Sequence, residues 1–380
     1  MTAPGRNGTA LVIGEALVDV IINPGEPPRD IPGGSPANVA LGLARLGRDA
    51  ELDCWIGRDE RGLAVREHLE ASGVRLIPGS DDAERTSTAQ ATIDEEGGAS
   101  YFFDLDWNPP FPTLPEAEAP VLVHTGSIAA ILTPGSETVH RILEAYRATS
   151  TICYDPNARP QLMGEPAGAR AIVERLVALS DLVKCSDEDI AWLYGVDTSK
   201  ESALQEVLND WLRHGPAVVV VTRGKHGALA LTASGLRLEV PADPNVVVAD
   251  TVGAGDSFMG GLEDALWSEG LVGADRREAL RSIDAATLDG AGTWRILWSL
   301  VLPMSKPILA TLTLITVVSH WNSFMWPSII APEPTWHVFT VATQALQQEH
   351  PDEWTLVMAA TVLALAPLII LYAVFHRQIV

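Results

Sequence analysis

The sequence predicts an α/β protein, a mainly parallel sheet flanked by helices with a small β lid, followed by two apolar segments long enough to cross a membrane. Three features predict this. From Ala10 to Val221, short β-branched runs alternate with segments of helical spacing, the pattern of parallel strands covered on both faces. Between Thr86 and Phe103 the pattern switches to strict alternation on either side of Glu95-Glu-Gly-Gly98, a hairpin signal. From Asp284 onward the composition changes: only Arg295, Lys306 and Arg377 are basic, and six of the 11 tryptophans lie there.

Composition narrows the function classes. A net charge of -23 repels phosphate backbones and anionic lipid, so no nucleic-acid partner is expected. Cys54, Cys153 and Cys185 are far apart and form no C-x-x-C, which suits buried thiols in a reducing compartment. The nine histidines show no zinc-binding spacing. Met1 to Thr9 is polar and runs straight into a strand, without the apolar core of a secretory signal, so the first part is expected to be cytoplasmic.

In chain order, Ala10 to Ile13 reads as the first strand, and Gly14 to Asp19 carries on toward the cleft side of the sheet. Pro36 suits the first turn of a helix running to Leu46, which Gly47 ends. Leu52 to Ile56 reads as a strand, Glu60 to Ala71 as a helix and Val74 to Ile77 as a strand. After the hairpin come strands at Val121 to His124 and Thr151 to Tyr154 around a helix at Ser136 to Ala148. Lys184-Cys-Ser-Asp-Glu-Asp189 follows a short strand and opens a helix, with Ser186 suited to cap it. Ala217 to Val221 is a buried type of strand leading into Thr222-Arg-Gly-Lys-His-Gly227. No Walker G-x-x-x-x-G-K-[ST] occurs, which excludes a P-loop NTPase.

The stretch that carries chemistry is Asp250-Thr-Val-Gly-Ala-Gly-Asp256-Ser-Phe258. Val246 to Val248 is strand-like, and Ser257 to Leu266 has helical spacing with Phe258, Leu262 and Leu266 on one side. Gly253 and Gly255 let the backbone approach a ligand, and a helix starting here directs its first N–H groups at an anion. Gly253, Ala254 and Gly255 are therefore the candidate anion hole. Asp256, in the first turn, is placed to take a proton from a hydroxyl that meets a transferred phosphoryl group. Taken alone, the same residues also fit a glycine turn with an Asp cap.

The full string resembles the second signature of the PfkB/ribokinase family of carbohydrate kinases, and Gly33-Gly34-Ser-Pro-Ala-Asn38 through Gly47 resembles the first. The resemblance implies a ribokinase-like fold, the hairpin strands together with the segment after the first strand serving as a small lid over the sugar, and ATP-dependent phosphorylation of a sugar hydroxyl. It makes Asp19, Gly33, Gly34 and Asn38 sugar contacts, and Asp256 the base. Asp155-Pro-Asn-Ala-Arg159 is similar to the D-P-N-x-R of fructokinase-like members, which places Asn157 and Arg159 near substrate or phosphate. Thr222, Gly224 and Gly227 match the nucleotide loop. Where ribokinases have N-x-x-E to organise Mg2+, this chain has Ser186 and Asp189, with Glu188 beside it. Asp250 and Thr251 match a monovalent-cation position, which implies K+. The expected partners are a small sugar and a second copy of the chain in a homodimer.

The kinase pattern stops near residue 284, leaving a kinase domain of 1–284 without its usual last helices, and a different domain over 285–380. Asp284-Ala-Ala286, Gly290 and Leu300-Val-Leu-Pro303 resemble the cytoplasmic coupling loop of maltose-type ABC sugar importer permeases, which docks on an ABC ATPase subunit. Residues 307–331 and 355–375 lack Asp, Glu, Lys and Arg, and each exceeds the roughly 20 residues that span about 30 Å of hydrocarbon. Arg295 and Lys306 before the first span and Arg377 after the second predict both ends on the cytoplasmic side. Neither half is complete, so the sequence reads as an in-frame join, and two further readings stand beside a kinase: an importer component with an inert kinase domain, and a non-functional chimera.

Overall fold

The computed structural model describes residues 8–93, 99–111, 119–242, 253–283, 345–348, 354–360 and 362–363. The chain divides into two compact units, Met1–Ile296 and Leu297–Val380. In the first, the elements begin with β1 (Thr9–Ile13), β2 (Leu17–Ile22), β3 (Arg29–Gly33), α1 (Ser35–Arg45), β4 (Asp49–Asp53), α2 (Glu60–Glu70) and β5 (Arg75–Leu76). They continue with β6 (Thr88–Ile93), β7 (Ala99–Asp104), β8 (Leu122–Gly126), α3 (Gly135–Tyr146), β9 (Thr151–Asp155), α4 (Pro160–Met163) and α5 (Pro166–Leu179). The last are β10 (Leu182–Ser186), α6 (Asp187–Tyr194), α7 (Glu201–His214), β11 (Val218–Thr222), β12 (Ala228–Thr232), β13 (Arg237–Val240), α8 (Ala254–Ser268) and α9 (Arg277–Arg281).

Nine of these strands form one sheet in the order β13-β12-β11-β10-β9-β8-β1-β4-β5. From β11 to β5 every pairing is parallel, so the C-terminal ends of β1, β8, β9, β10 and β11 lie along one edge. Strand alternation sends neighbouring residues to opposite faces. Leu11, Ile13, Val123, Ile152 and Val183 thus pack with Val139 and Ile142 of α3, Val173 of α5 and Trp211 of α7. Ala10, Val12, Leu122, Cys153 and Leu182 pack with Val39 and Leu43 of α1, Val65 of α2, and Met259 and Trp267 of α8. Each fully buried large side chain contributes about 1.5–3 kcal/mol. A sheet covered on both faces is what continuous runs such as Val218-Val-Val-Val221 require.

The predicted lid is a second sheet in the order β3-β2-β6-β7. Its hairpin pairs β6 with β7 antiparallel, and β2 runs parallel to β6. Leu17 to Ile22, the segment after β1, is a strand of this small sheet, as the resemblance implies. One expectation is corrected: β4 is Asp49–Asp53 rather than Leu52 to Ile56. Arg75 on β5 bonds both Asp49 and Glu51, so ion pairing extends the strand through residues that apolar patterning rejects. Cys54 and Ile56 are buried beyond its end.

Strand-like Val246 to Val248 and the cation candidates Asp250 and Thr251 lie outside the described residues, as does the span expected at 307–331. In the second unit, residues 345–348, 354–360 and 362–363 are helical, and the rest of the span expected at 355–375 lies outside the description. Among the described residues, no helix is long and apolar enough to cross a membrane.

Candidate active site

Two helices with glycine caps meet at the site. Gly253 precedes α8 with φ 71° and Gly34 precedes α1 with φ 114°, and neither offers a side-chain acceptor to the first-turn N–H groups. Both helix starts therefore remain available to an anion, as the glycine turn predicts. The helices cross with Gly260 of α8 against the Val39–Leu43 backbone of α1, where a Cβ would stand at ordinary contact distance, 3.5 Å from the Val39 carbonyl oxygen. This packing brings Ser35 and Asn38, at the start of α1, to Asp256, at the start of α8.

Asp256 is buried, and its carboxylate is held from both sides. The Ser35 hydroxyl donates to Oδ1 at 2.8 Å and the Asn38 amide donates to Oδ2 at 2.8 Å. Asp256 is thus the third residue of the helix and not its cap, and its oxygens bond groups from α1. Asn157 joins the cluster, donating to the Ser35 hydroxyl oxygen at 2.7 Å and to Asp256 Oδ1 at 3.4 Å. Its φ of 36° is in the left-handed region, which asparagine tolerates better than most residues, and it turns the amide back from the end of β9 toward α1. Arg159 Nη1 donates to Asn157 Oδ1 at 2.6 Å.

Asp19, on β2, lies against Gly33, whose Cβ would stand 2.3 Å from Asp19 Oδ2, so glycine is needed for the approach. Burial raises the Asp19 carboxyl above its usual range, and the Arg159 charge pulls it partly back. At Gly34 a Cβ would stand 2.3 Å from the Glu15 carbonyl oxygen. Asp19, Gly33, Gly34, Asn38, Asn157, Arg159, Gly253 and Asp256 therefore gather in one neighbourhood between the sheet edge and the small sheet.

Ala254 and Gly255 open α8, and a Cβ on Gly255 would stand 2.9 Å from Lys184 Nζ. Thr222 ends β11 beside Ser186 of β10, and its hydroxyl donates to the Cys185 carbonyl at 3.3 Å. Gly224 and Gly227 frame the following turn with φ of 51° and 83°. These three residues are on the same sheet edge as Asp256, displaced toward β11.

Asp189 behaves differently. Its Oδ1 accepts from the Ala158 N–H at 2.7 Å and its Oδ2 from the Ser186 N–H at 2.8 Å, while Ser186 caps α6. Both oxygens thus serve the backbone, tying the Asp155–Arg159 turn to α6. Among the described residues no group of three or more His, Cys, Asp or Glu side chains could hold a metal ion.

Sequence reasoning assigned no role to Ser35, Glu15, Asp155 or Lys184. Lys184 left a signal, since a lysine in the middle of a buried strand needs a partner. It donates from Nζ to Asp155 Oδ2 at 2.8 Å. Glu15, in the turn after β1, accepts from the Ala129 N–H at 3.2 Å, and burial pushes its carboxyl up to about 7 despite a hydrogen bond from Ser127. A raised folded-state value means proton binding favours the fold below about 4.5, and that gain is lost as pH rises through about 7. The difference is about 3 kcal/mol at about 1.4 kcal/mol per unit. Thermal unfolding at pH 5 and pH 8 is expected to show a loss in the wild type that is smaller by this amount in Glu15→Gln; an equal pH response in both refutes the assignment.

Residues 8–284 match the pfkB family carbohydrate kinase description, and the chain belongs to that family. It is an ATP-dependent sugar kinase. A fructokinase from Klebsiella pneumoniae is 35% identical over 277 residues, covering 70% of this chain and 86% of the relative. One from Salmonella typhimurium is 31% identical over 271 residues, with 70% and 86% covered. The fructokinase of Vibrio cholerae O395 superposes with a TM-score of 0.57 in its apo form, at 29% identity, covering 72% of this chain and 94% of that one. Its fructose-, ADP- and calcium-bound form gives 0.56 at 28% identity, with 72% and 90% covered. Residues 280–380 match the binding-protein-dependent transport system inner membrane component, so the two matches overlap where the kinase pattern was expected to end.

Proposed function

We propose that the chain transfers the γ-phosphoryl group of ATP to a hydroxyl of a ketose of the fructose type. The observation that carries this is the Asp256 carboxylate, buried at the joint start of α1 and α8 and oriented by Ser35 and Asn38. In the step, the sugar O–H loses its proton to Asp256 as its oxygen bonds to the γ-phosphorus. The bond from that phosphorus to the bridging oxygen breaks, and its electron pair leaves on ADP. The N–H groups of Gly253, Ala254 and Gly255 face the charge that develops on the phosphoryl oxygens. Asp19, Gly33, Gly34, Asn38, Asn157 and Arg159 orient the sugar, and Thr222, Gly224 and Gly227 meet the nucleotide.

Mg2+, held by the phosphates, would neutralise part of their charge, with Asp189 and Glu188 ordering the nearby turn and not ligating it directly. K+ would be held at Asp250 and Thr251, just ahead of α8 in the chain. The kinase unit works in the cytoplasm, where ATP is available, and association into a homodimer belongs to the same reading. Sugar-dependent ADP release by the detergent-solubilised full chain, with fructose, ribose and 2-keto-3-deoxygluconate, tests it. The expected result is a kcat/KM for fructose at least about tenfold above the others, a span that one or two buried polar contacts to sugar hydroxyls supply. Turnover of another sugar in preference to fructose sinks the substrate assignment, and no turnover of any sugar by the folded chain leaves ancestry alone.

A second reading rests on the match over 280–380. Residues 285–380 would anchor the chain through spans at 307–331 and 355–375, and Asp284–Pro303 would dock on an ABC ATPase subunit. Capture of such a subunit that is lost in Gly290→Glu supports this reading; capture indifferent to that change refutes it.

A further inference from the structure

Alternation along β10 sends Leu182 and Lys184 to the face covered by α1 and α8, and Val183 and Cys185 to the other. Lys184 is therefore a cation buried beneath α8, and it is only 3% exposed. Its partner Asp155 ends the adjacent strand β9 and is 1% exposed, with Oδ1 free of any partner among the described residues. The ammonium reaches up from the strand to the first turn of α8, where it occupies the space that a Cβ on Gly255 would need.

Burial of a lysine is costly, and its retention of charge here has a visible cause. Burial works against the proton, but Asp155, Asp189 and Asp256 all attract it, and the net direction is upward. One cation thus stands among three carboxylates, at the point where the anion-hole backbone begins. Transfer of a phosphoryl group brings further negative charge to that point.

We propose that Lys184 is a positioning residue for phosphoryl transfer: paired with Asp155, it fixes the Gly255 backbone and supplies the fixed positive charge that offsets the transferred group over the start of α8. It forms no covalent bond and moves no proton. This rests on the kinase reading above, and Gly255 acquires a reason for being glycine beyond its backbone freedom, since a methyl group there would displace the ammonium.

The test compares the wild type, Lys184→Met and the double variant Lys184→Met/Asp155→Asn, all as detergent-solubilised full chains. Calorimetry measures binding of fructose, of ADP, and of ADP with aluminium fluoride and Mg2+, the last a mimic of the group in flight. Both variants are expected to lose about 100-fold in kcat, as on removal of one stabilising donor, and a comparable factor in affinity for the mimic. Affinities for fructose and ADP are expected to stay within about threefold. A structural role would weaken all of these together with the melting temperature. The double variant removes both charges, so it keeps the fold if the single variant does not.

Turnover of the double variant within about threefold of the wild type overturns the inference, as does equal loss of ADP and mimic binding. Unfolding of the double variant overturns it too, because the pair would then hold the fold. A wild type without sugar-dependent ADP release removes the kinase reading and this inference together, whereas an active wild type matched by Lys184→Met removes this inference alone.

Discussion

Asp256→Asn is expected to lower sugar-dependent ADP release by roughly 10²–10⁴-fold, the range for loss of a positioned general base. The fold should survive, because the change is isosteric and the new amide oxygen can still accept from the Ser35 hydroxyl, now 2.8 Å from Oδ1. Asn38 donates to the other oxygen at 2.8 Å, and its amide must turn over to accept from the new amide nitrogen. Sugar affinity should therefore fall modestly while kcat collapses. Steady-state kinetics beside calorimetry of fructose binding checks this. Turnover within tenfold of the wild type would mean that Asp256 is not the base.

The largest stability effect is expected beneath the same helix. His124 on β8 and Glu263 on α8 meet at 2.7 Å with side chains 1% and 0% exposed. Burial works against the His124 proton, but the charge and hydrogen bond of Glu263, with the charges of Asp155 and Asp256, together outweigh it, and the imidazole keeps its proton to higher pH than an ordinary histidine. The stability this gives is full below about 6.5, the ordinary value, and is lost as pH rises through the raised folded one. His124→Leu strands the carboxylate, and breaking such a pair costs about 3–5 kcal/mol. His124→Leu/Glu263→Met replaces both members by apolar groups and should recover most of that loss. Urea unfolding of the four forms of the cycle measures the coupling. A single-variant cost below about 1 kcal/mol would show that the pair contributes nothing to stability.

Much of the fold was legible because its signals are local. Strands and helices alternate in distinct periods, and the hairpin at 88–104 declares itself by alternation. Element ends were less legible: β4 begins at Asp49, held by Arg75, an ion pair that apolar patterning cannot register. At the site, glycines and Asp256 stood out because a turn into a helix needs those residue types next to one another. Asp189 was expected to organise a metal, and the structure shows both its oxygens engaged by the Ala158 and Ser186 amides. Ser186 and Asp189 form a capping box, a local arrangement that their three-residue spacing already contained.

The sequence by itself determined the order of elements, the glycine-capped start of α8, the carboxylate in its first turn and the change of composition near residue 284. Each depends on residues near one another in the chain, where spacing alone sets geometry. Only the tertiary structure decided which distant side chains meet: Ser35 and Asn38 with Asp256, Lys184 with Asp155 and Gly255, His124 with Glu263. Those contacts follow from the register of β8, β9 and β10 and from the crossing of α1 and α8 at Gly260. A shift of one residue in any of those strands would turn these polar groups to the opposite face, so spacing along the chain cannot specify the contacts without the packed sheet.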